Sequence, residues 1–313
     1  MIWLTWRQHR KQGLYTLLGL AALAAFIVPT GLAMRHDLDR LVVQRCATGG
    51  ELCDRGVNQF IDIYSPLLYV AVLLLAVPLL FGLFWGAPLV AREIEQGTHR
   101  MIWTQGISRR HWAWTKAGLL GGAVAVLAAG YGWGISWWYE PLQFRESRFT
   151  EVFFDVQGVV PVGYTLFAVA LGLYAGTVLP KVMSAMAVTL PAYIAARVAV
   201  GMYARPRFMA PLTRSLGIDD RVDLMAGAWL MSTEVRQADG TRVTGGMMVC
   251  RPEGDGGLCA AAREMGLRPG AYNYQVYQPE GRFWTFQWIE TGIFVAAAAL
   301  LLWLAVRRVR RIA

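Results

Sequence analysis

Charge is scarce in this sequence. Only 16% of its 313 residues are Asp, Glu, Lys or Arg, against about 25% in an ordinary soluble domain. Set beside 56% hydrophobic residues and a mean hydropathy of +0.38, that shortage excludes a soluble globule. Lysine is the rarest charge: Lys11, Lys116 and Lys181 are three of the 30 basic residues. None of them follows a glycine, so the phosphate loop GxxxxGK[ST] is absent and any ATP-driven role needs a second subunit. His9, His36, His99 and His111 are scattered without metal-ligand spacing, and no GxSxG motif or intramembrane carboxylate pair occurs. No catalytic residue, no metal site and no cofactor within this chain are expected. Internal repeats and low-complexity stretches are missing too.

What the chain has is long apolar runs. Six are long enough to cross a bilayer at about 20 residues each: Leu14 to Met34, Tyr64 to Val90, Ala117 to Tyr139, Val159 to Leu179, Val182 to Tyr203 and Trp288 to Val306. Pro29, Pro66, Pro78, Pro88, Pro161 and Pro191 lie in or at the ends of these runs, where they kink a membrane helix without forbidding it. The opening MIWLTWRQHRKQG has no small-residue cleavage site and reads as retained. Trp3, Trp6 and Arg10 at helical spacing read as a helix on the membrane surface, with Arg7 and Lys11 in the headgroups.

Six spans create two sets of loops, and their charges differ. Residues 1–13, 91–116, 180–181 and 307–313 hold 13 basic residues against Glu93 and Glu95 alone, whereas 35–63, 140–158 and 204–287 hold 16 basic and 18 acidic residues. The positive-inside rule therefore puts both termini in the cytoplasm. It also explains the net charge of +9 as topology, leaving no role for nucleic acid. Cys46, Cys53, Cys250 and Cys259 all fall in the outer set, which suits an oxidising compartment. Three pairings are open to four cysteines; the short-range Cys46 to Cys53 and Cys250 to Cys259 would each clip one outer loop, and four free thiols are the alternative.

The expected organisation is one all-α six-span membrane domain over 1–306, an outer insertion at 204–287 and a basic tail at 307–313. Within the insertion, WLMSTEVRQADGTRVTG reads as a hairpin turning at Asp239-Gly240, LCAAAREMG as a helix ending at Gly266, and YNYQVY as a strand. A small mixed extracellular cap between the fifth and sixth spans follows, either covering the outer mouth or serving as a lid without a ligand.

The most informative stretch is AREIEQGTHRMIWTQGISRRHWAWTKAG, residues 91–118. Gly97 interrupts a helix, Thr98 is an N-cap, His99 to Gln105 make about two turns, and Gly106 ends them. Ser108 caps the next helix, which runs through Arg109, Arg110 and Lys116 into the third span. Met101, Ile102 and Trp103 would protrude from a short helix with no core of its own, so they need either the membrane interface or a partner's groove.

The pattern Glu93, Glu95, Gly97, Thr98, then Gly106-Ile107-Ser108-Arg109 and Lys116, between a second and a third span, resembles the cytoplasmic loop of type-2 ABC transporter permeases, the exporter class. Gly106 stands where that family often has proline. WLTWRQHR at the start, PVGYTLFAVALGLYAG at 161–176, TLPAYIAAR at 189–197 and RFWTFQWIE at 282–290 are similar to the family's actinobacterial form. The resemblance implies an interfacial helix at the start of the chain and a multi-pass protein of the bacterial plasma membrane. It further implies a dimer of permease chains, here a homodimer, over two separate ATP-binding subunits that hold the ATP and magnesium. The coupling helix would be Thr98 to Gln105, with Met101, Ile102 and Trp103 as anchors in the partner. Glu93 and Glu95 would hold the loop through Arg100, Arg109 or a basic residue of the partner, or else stand solvated. The substrate path between two such chains would accept lipophilic or amphipathic molecules for efflux.

Arg197 and Glu290 are the intramembrane charges, costly enough in lipid to need partners. They are expected to pair between the fifth and sixth spans and to latch or gate the outer exit; the alternative has Arg197 snorkelling to headgroups and Glu290 interfacial. Gly118, Gly121, Gly122, Gly172 and Gly176 are expected to pack helices closely. Two rival functions remain at this point: a secondary transporter driven by an ion gradient, and a non-transporting sensor or assembly partner.

Overall fold

A computed structural model describes residues 2–47, 51–96, 109–143, 147–179, 181–218, 227–250 and 259–309. Mostly helical, it contains six helices long and apolar enough to cross a membrane: Gln12–Cys46, Leu67–Arg92, Gly118–Leu142, Val160–Val178, Val182–Arg207 and Glu280–Arg308. The chain is thus a multi-pass membrane protein. Two compact units are present, one of residues 1–141, 151–206 and 286–313, the other of 142–150 and 207–285.

In the first unit the fourth span is the central helix, with 78% of its apolar window buried against 17–33% for the other five. Small residues allow that. A Cβ on Gly172 would stand 2.4 Å from the Gly82 carbonyl oxygen, and one on Gly176 would stand 2.8 Å from that of Ala87. Backbones of the second and fourth spans therefore touch, the kind of approach that packs helices where no hydrophobic driving force exists between them. Ala87, Ala91, Ala175 and Ala185 extend this seam to the fifth span. By contrast a Cβ on Gly118, Gly121 or Gly122 would meet nothing within 4 Å, so the close packing expected of them is not made among the described residues.

The chain's opening differs from expectation as well. Ile2–Asp37 is one helix, and no turn separates a flat surface segment from the first span. Beyond Asp37 the helix continues as a π-helical segment, Leu38–Val43, and a last turn, Gln44–Cys46. The amphipathic helix Glu51–Tyr64 returns beside it, close enough that a Cβ on Gly56 would lie 1.9 Å from the Leu41 carbonyl oxygen. The Tyr64 hydroxyl donates to Asp37 at 2.7 Å. Burial and that acceptor push the Tyr64 phenol up to about 12, so it stays a donor through the neutral range.

The second unit is built on a four-stranded antiparallel sheet in the order β1-β4-β2-β3, with β1 Leu212–Gly217, β2 Trp229–Arg236, β3 Arg242–Gly245 and β4 Tyr272–Gln278. Its hairpin turns at the expected place. The loop has three residues, Ala238 to Gly240, closed by Gly240 N–H to Gln237 O at 2.9 Å, with positive φ at Gly240 alone; a type I turn followed by a left-handed glycine gives that geometry. The helix Ala260–Glu264 ends at Gly266, φ +71°, where Gly266 N–H bonds to Arg263 O and Leu267 N–H to Ala262 O. This is a Schellman ending. In β4 the buried positions are polar: Asn273 and Gln278 are fully buried and the tyrosines half-buried. Asn273 is satisfied there by both backbone groups of Met248, at 2.9 and 2.7 Å.

Candidate functional site

Three elements of the first unit converge on a group of buried charges. The fifth span carries Arg197 and Arg205, the short helix Glu151–Val156 carries Asp155, and the sixth span carries Glu290. Arg197 Nη2 lies 2.5 Å from Asp155 Oδ2, Arg205 Nη2 lies 2.5 Å from Asp155 Oδ1, and Arg205 Nε lies 2.7 Å from Glu290 Oε2. Arg205 Nη2 also donates to Glu290 Oε1 at 2.8 Å. Glu290 is fully buried and the Arg205 side chain 3% exposed.

Two arginines facing two carboxylates leave no net charge, and each carboxylate accepts more than one donor. Both conditions are needed for ions to be held in a low-dielectric interior. Aromatic rings complete the shell. Arg197 lies 3.6 Å over the Tyr164 ring and Arg205 lies 4.1 Å over that of Phe154. The Tyr164 hydroxyl reaches Asp155 and Glu290, and Tyr193 accepts from Arg197 at 3.1 Å.

Arg197 and Glu290 are therefore not each other's partners. The expected direct pair is replaced by a network in which Asp155 and Arg205 stand between them. A break in helical regularity is the reason. Eight residues apart on a regular helix, Arg197 and Arg205 would point about 80° apart. The π-helical segment Val200–Ala204 absorbs roughly one residue, giving the spacing of i and i+7 and an offset of only about 20°. Both guanidinium groups so reach the same pair of acids.

Gln287, fully buried on the sixth span, fixes the segment that carries Asp155. Its Oε1 accepts the N–H groups of Val159 and Val160 at 3.1 and 3.0 Å, and its Nε2 donates to Phe154 O at 2.9 Å. It thereby caps the fourth span, whose first N–H groups have no partner within the helix.

At the other end of the fifth span, Glu95 accepts the N–H of Val182 at 3.1 Å. A carboxylate at a helix N-terminus is favoured by the orphan N–H groups and the helix dipole. Glu95 thus has a backbone amide as a partner among the described residues; Arg100 and the side chain of Arg109, expected to hold it unless a basic residue of the partner or solvent does, lie outside the description. Of the other residues expected in coupling, Gly97, Thr98, Met101, Ile102, Trp103, Gln105 and Ser108 lie outside the described residues. Glu93 lies on the helix Ala87–Glu95, and Arg109 and Lys116 on the helix Arg109–Tyr139; their side chains are likewise outside the description. Cys46 is bonded to Cys53 and Cys250 to Cys259.

Asp155, Arg205 and Gln287 do not stand out in the sequence because they lie outside the apolar runs bounded by Val159, Tyr203 and Trp288. Arg205 sits two residues past one end and Gln287 one residue before another, so allowing helices to outlast their apolar runs would have found both.

The profile of the ABC-2 membrane transporter related family matches residues 17–205, more than half of the 313. The chain belongs to that family. It is a type-2 ABC transporter permease, a class of membrane transport subunit that generally has no ATPase site of its own. The matched region covers the first five spans but for the start of the first and the end of the fifth, and it includes Glu95, Asp155, Tyr164, Arg197 and Arg205, while Gln287 and Glu290 of the permease lie beyond it. No curated protein and no solved structure matches the chain.

Proposed function

We propose that the permease is one half of an ATP-driven exporter in a bacterial plasma membrane, with both termini cytoplasmic and a second copy of the chain as its membrane partner. ATP and magnesium belong to a separate ATP-binding subunit, which docks on the coupling segment Thr98 to Gln105 with Met101, Ile102 and Trp103 as buried anchors. The substrate is lipophilic or amphipathic and passes between the two permease chains. Both disulfides fall in the set of loops that alternates with the basic set, which favours this orientation.

The observation that carries the reading is the attachment of the fifth span at both ends. Glu95, next to the docking segment, holds its first residue, and the arginines at its far end hold the fourth and sixth spans through Asp155, Tyr164 and Glu290. The helix is about 39 Å long, so a push at the docking segment is delivered as strain on the outer network. In this reading the network is a latch on the outer exit. ATP binding opens it by favouring a bundle arrangement in which those contacts are exchanged.

An ion-gradient transporter fits the same residues less well. Its site must take up and release a cation near the midplane, whereas here two acids are already matched by two arginines and fixed by hydrogen bonds.

Pull-down of the tagged chain from native membranes in gentle detergent tests the proposal. A Walker-motif ATPase is expected with wild type and is lost with Trp103→Glu, while insertion is unchanged. Recovery of the ATPase with Trp103→Glu overturns the docking assignment, and a dimeric chain that never brings an ATPase overturns the exporter reading.

A further inference from the structure

A groove of about 490 Å³ runs between the first and third spans, walled by Leu20, Leu23, Ile27 and Leu32 on one side and Val126 and Trp133 on the other. Its one hydroxyl, that of Tyr131, is spent on the Leu74 carbonyl at 2.9 Å. Gly130 and Gly134, one turn apart on the third span, contribute no side chain, and a Cβ at either would meet nothing within 4 Å. A second groove of about 360 Å³, between the first and second spans, meets this one at Leu20 and Leu23 and continues to Thr16. From Thr16 to Leu32 the track covers about 24 Å of helix, most of the roughly 30 Å hydrocarbon thickness.

At the outer end of this track stands a cation. Arg35 lies 4.1 Å over the ring of Trp137, which lines the groove, donates to the backbone carbonyls of Gly31 and Trp137, and has Glu140 as its carboxylate partner at 2.9 Å, with 66% of the Glu140 side chain and 28% of the Arg35 side chain exposed. The carboxylate of such a pair, itself largely in solvent, is held weakly. A ligand anion can take the place of Glu140 at little cost.

We infer that this groove binds the hydrocarbon chain of an anionic amphiphile, a fatty acid or a lipid with an acidic head, whose charge is met by Arg35. Charge decides for an amphiphile over an apolar helix: Arg35 stands beside a lining that is apolar but for the Tyr131 hydroxyl and the indoles of Trp133 and Trp137. Along its length the valley offers mainly methyl, methylene and ring surface, which suits an alkyl chain. Naming that amphiphile as the exported substrate rests on the exporter reading above; the binding site itself does not.

The test uses the full chain in detergent with whatever ATPase accompanies it, and palmitic acid carrying a mid-chain diazirine as the probe. After irradiation at pH 8, adducts are expected on residues 20–32 and 126–137, at least fivefold above other lipid-facing segments and competed by unlabelled palmitate. Gly134→Trp, or Val126→Trp should the first variant fail to fold, fills the groove and lowers labelling at least fivefold. Arg35→Gln lowers labelling by the acid several-fold and leaves labelling by the matching diazirine alcohol unchanged. Adducts spread evenly over all spans, or labelling indifferent to the filled groove, overturn the inference. So does a disulfide formed between two Trp133→Cys chains, which would assign the face to a second copy. Recovery of the ATPase is scored in the same samples: adducts without ATPase sink the exporter reading alone, and ATPase without adducts sinks the groove alone.

Discussion

Arg205 grips Glu290 with two parallel hydrogen bonds, Nε to Oε2 at 2.7 Å and Nη2 to Oε1 at 2.8 Å. The bidentate fork brings planar specificity as well as charge, and it joins the end of the fifth span to the sixth.

Removing either member leaves the buried network with one unmatched charge. Arg205→Met or Glu290→Leu alone is expected to cost about 3–5 kcal/mol, and the double variant to recover most of the loss. Thermal unfolding in detergent, read as a double-mutant cycle, measures this; additive single effects would show the two groups to be uncoupled. Reversing charge at Arg197 and Glu290 together should not rescue either single reversal, since Arg197 has Asp155 as its partner.

The Glu95 contact is more exposed and worth less. Glu95→Ala should loosen the first turn of the fifth span by about 0.3–1 kcal/mol, the range for a charge at a helix terminus. Hydrogen exchange at the Val182 amide then quickens roughly two- to fivefold, with little change in global melting. Unchanged exchange would mean that Glu95 does not hold that helix.

Glycines of the same type should respond oppositely. Gly172→Ala places a methyl 2.4 Å from the Gly82 carbonyl oxygen and must push two spans apart, at a cost of about 1–3 kcal/mol. Gly121→Ala meets nothing and should be neutral or stabilising by up to about 1 kcal/mol. Melting temperatures of the two variants decide, and equal effects would contradict the backbone contact between the second and fourth spans.

Sidedness can be read from the cysteines. In intact cells, polyethylene-glycol maleimide should leave the chain unshifted until a membrane-impermeant reductant is added outside, after which Cys46, Cys53, Cys250 and Cys259 become labelled. Labelling without reductant would show free thiols, and labelling confined to inverted vesicles would reverse the orientation.

Six membrane helices were legible in the sequence because the period of the signal is the thickness of the bilayer: each run had to be apolar over a fixed length. The hairpin at Asp239-Gly240 and the helix end at Gly266 were legible for a local reason, the left-handed φ that glycine adopts without strain. Turn type was not legible, since the number of loop residues depends on the register of β2 against β3. In β4 alternation showed a strand but not which face is inside. Asn273 is buried because Met248, distant in sequence, offers it a backbone donor and acceptor.

The ends of the spans separate what sequence determined from what tertiary structure decided. Hydropathy and charge asymmetry determined the class of protein, the number of crossings and the isolation of Arg197 and Glu290 as intramembrane charges, because the cost of putting a group in lipid depends on its own chemistry. Which acid meets which arginine was decided only in three dimensions. A π-helical segment at Val200–Ala204 turns Arg205 onto the face of Arg197, and Gln287 fixes the segment that presents Asp155. Neither effect is written in any single stretch of chain, because each arises where helices meet.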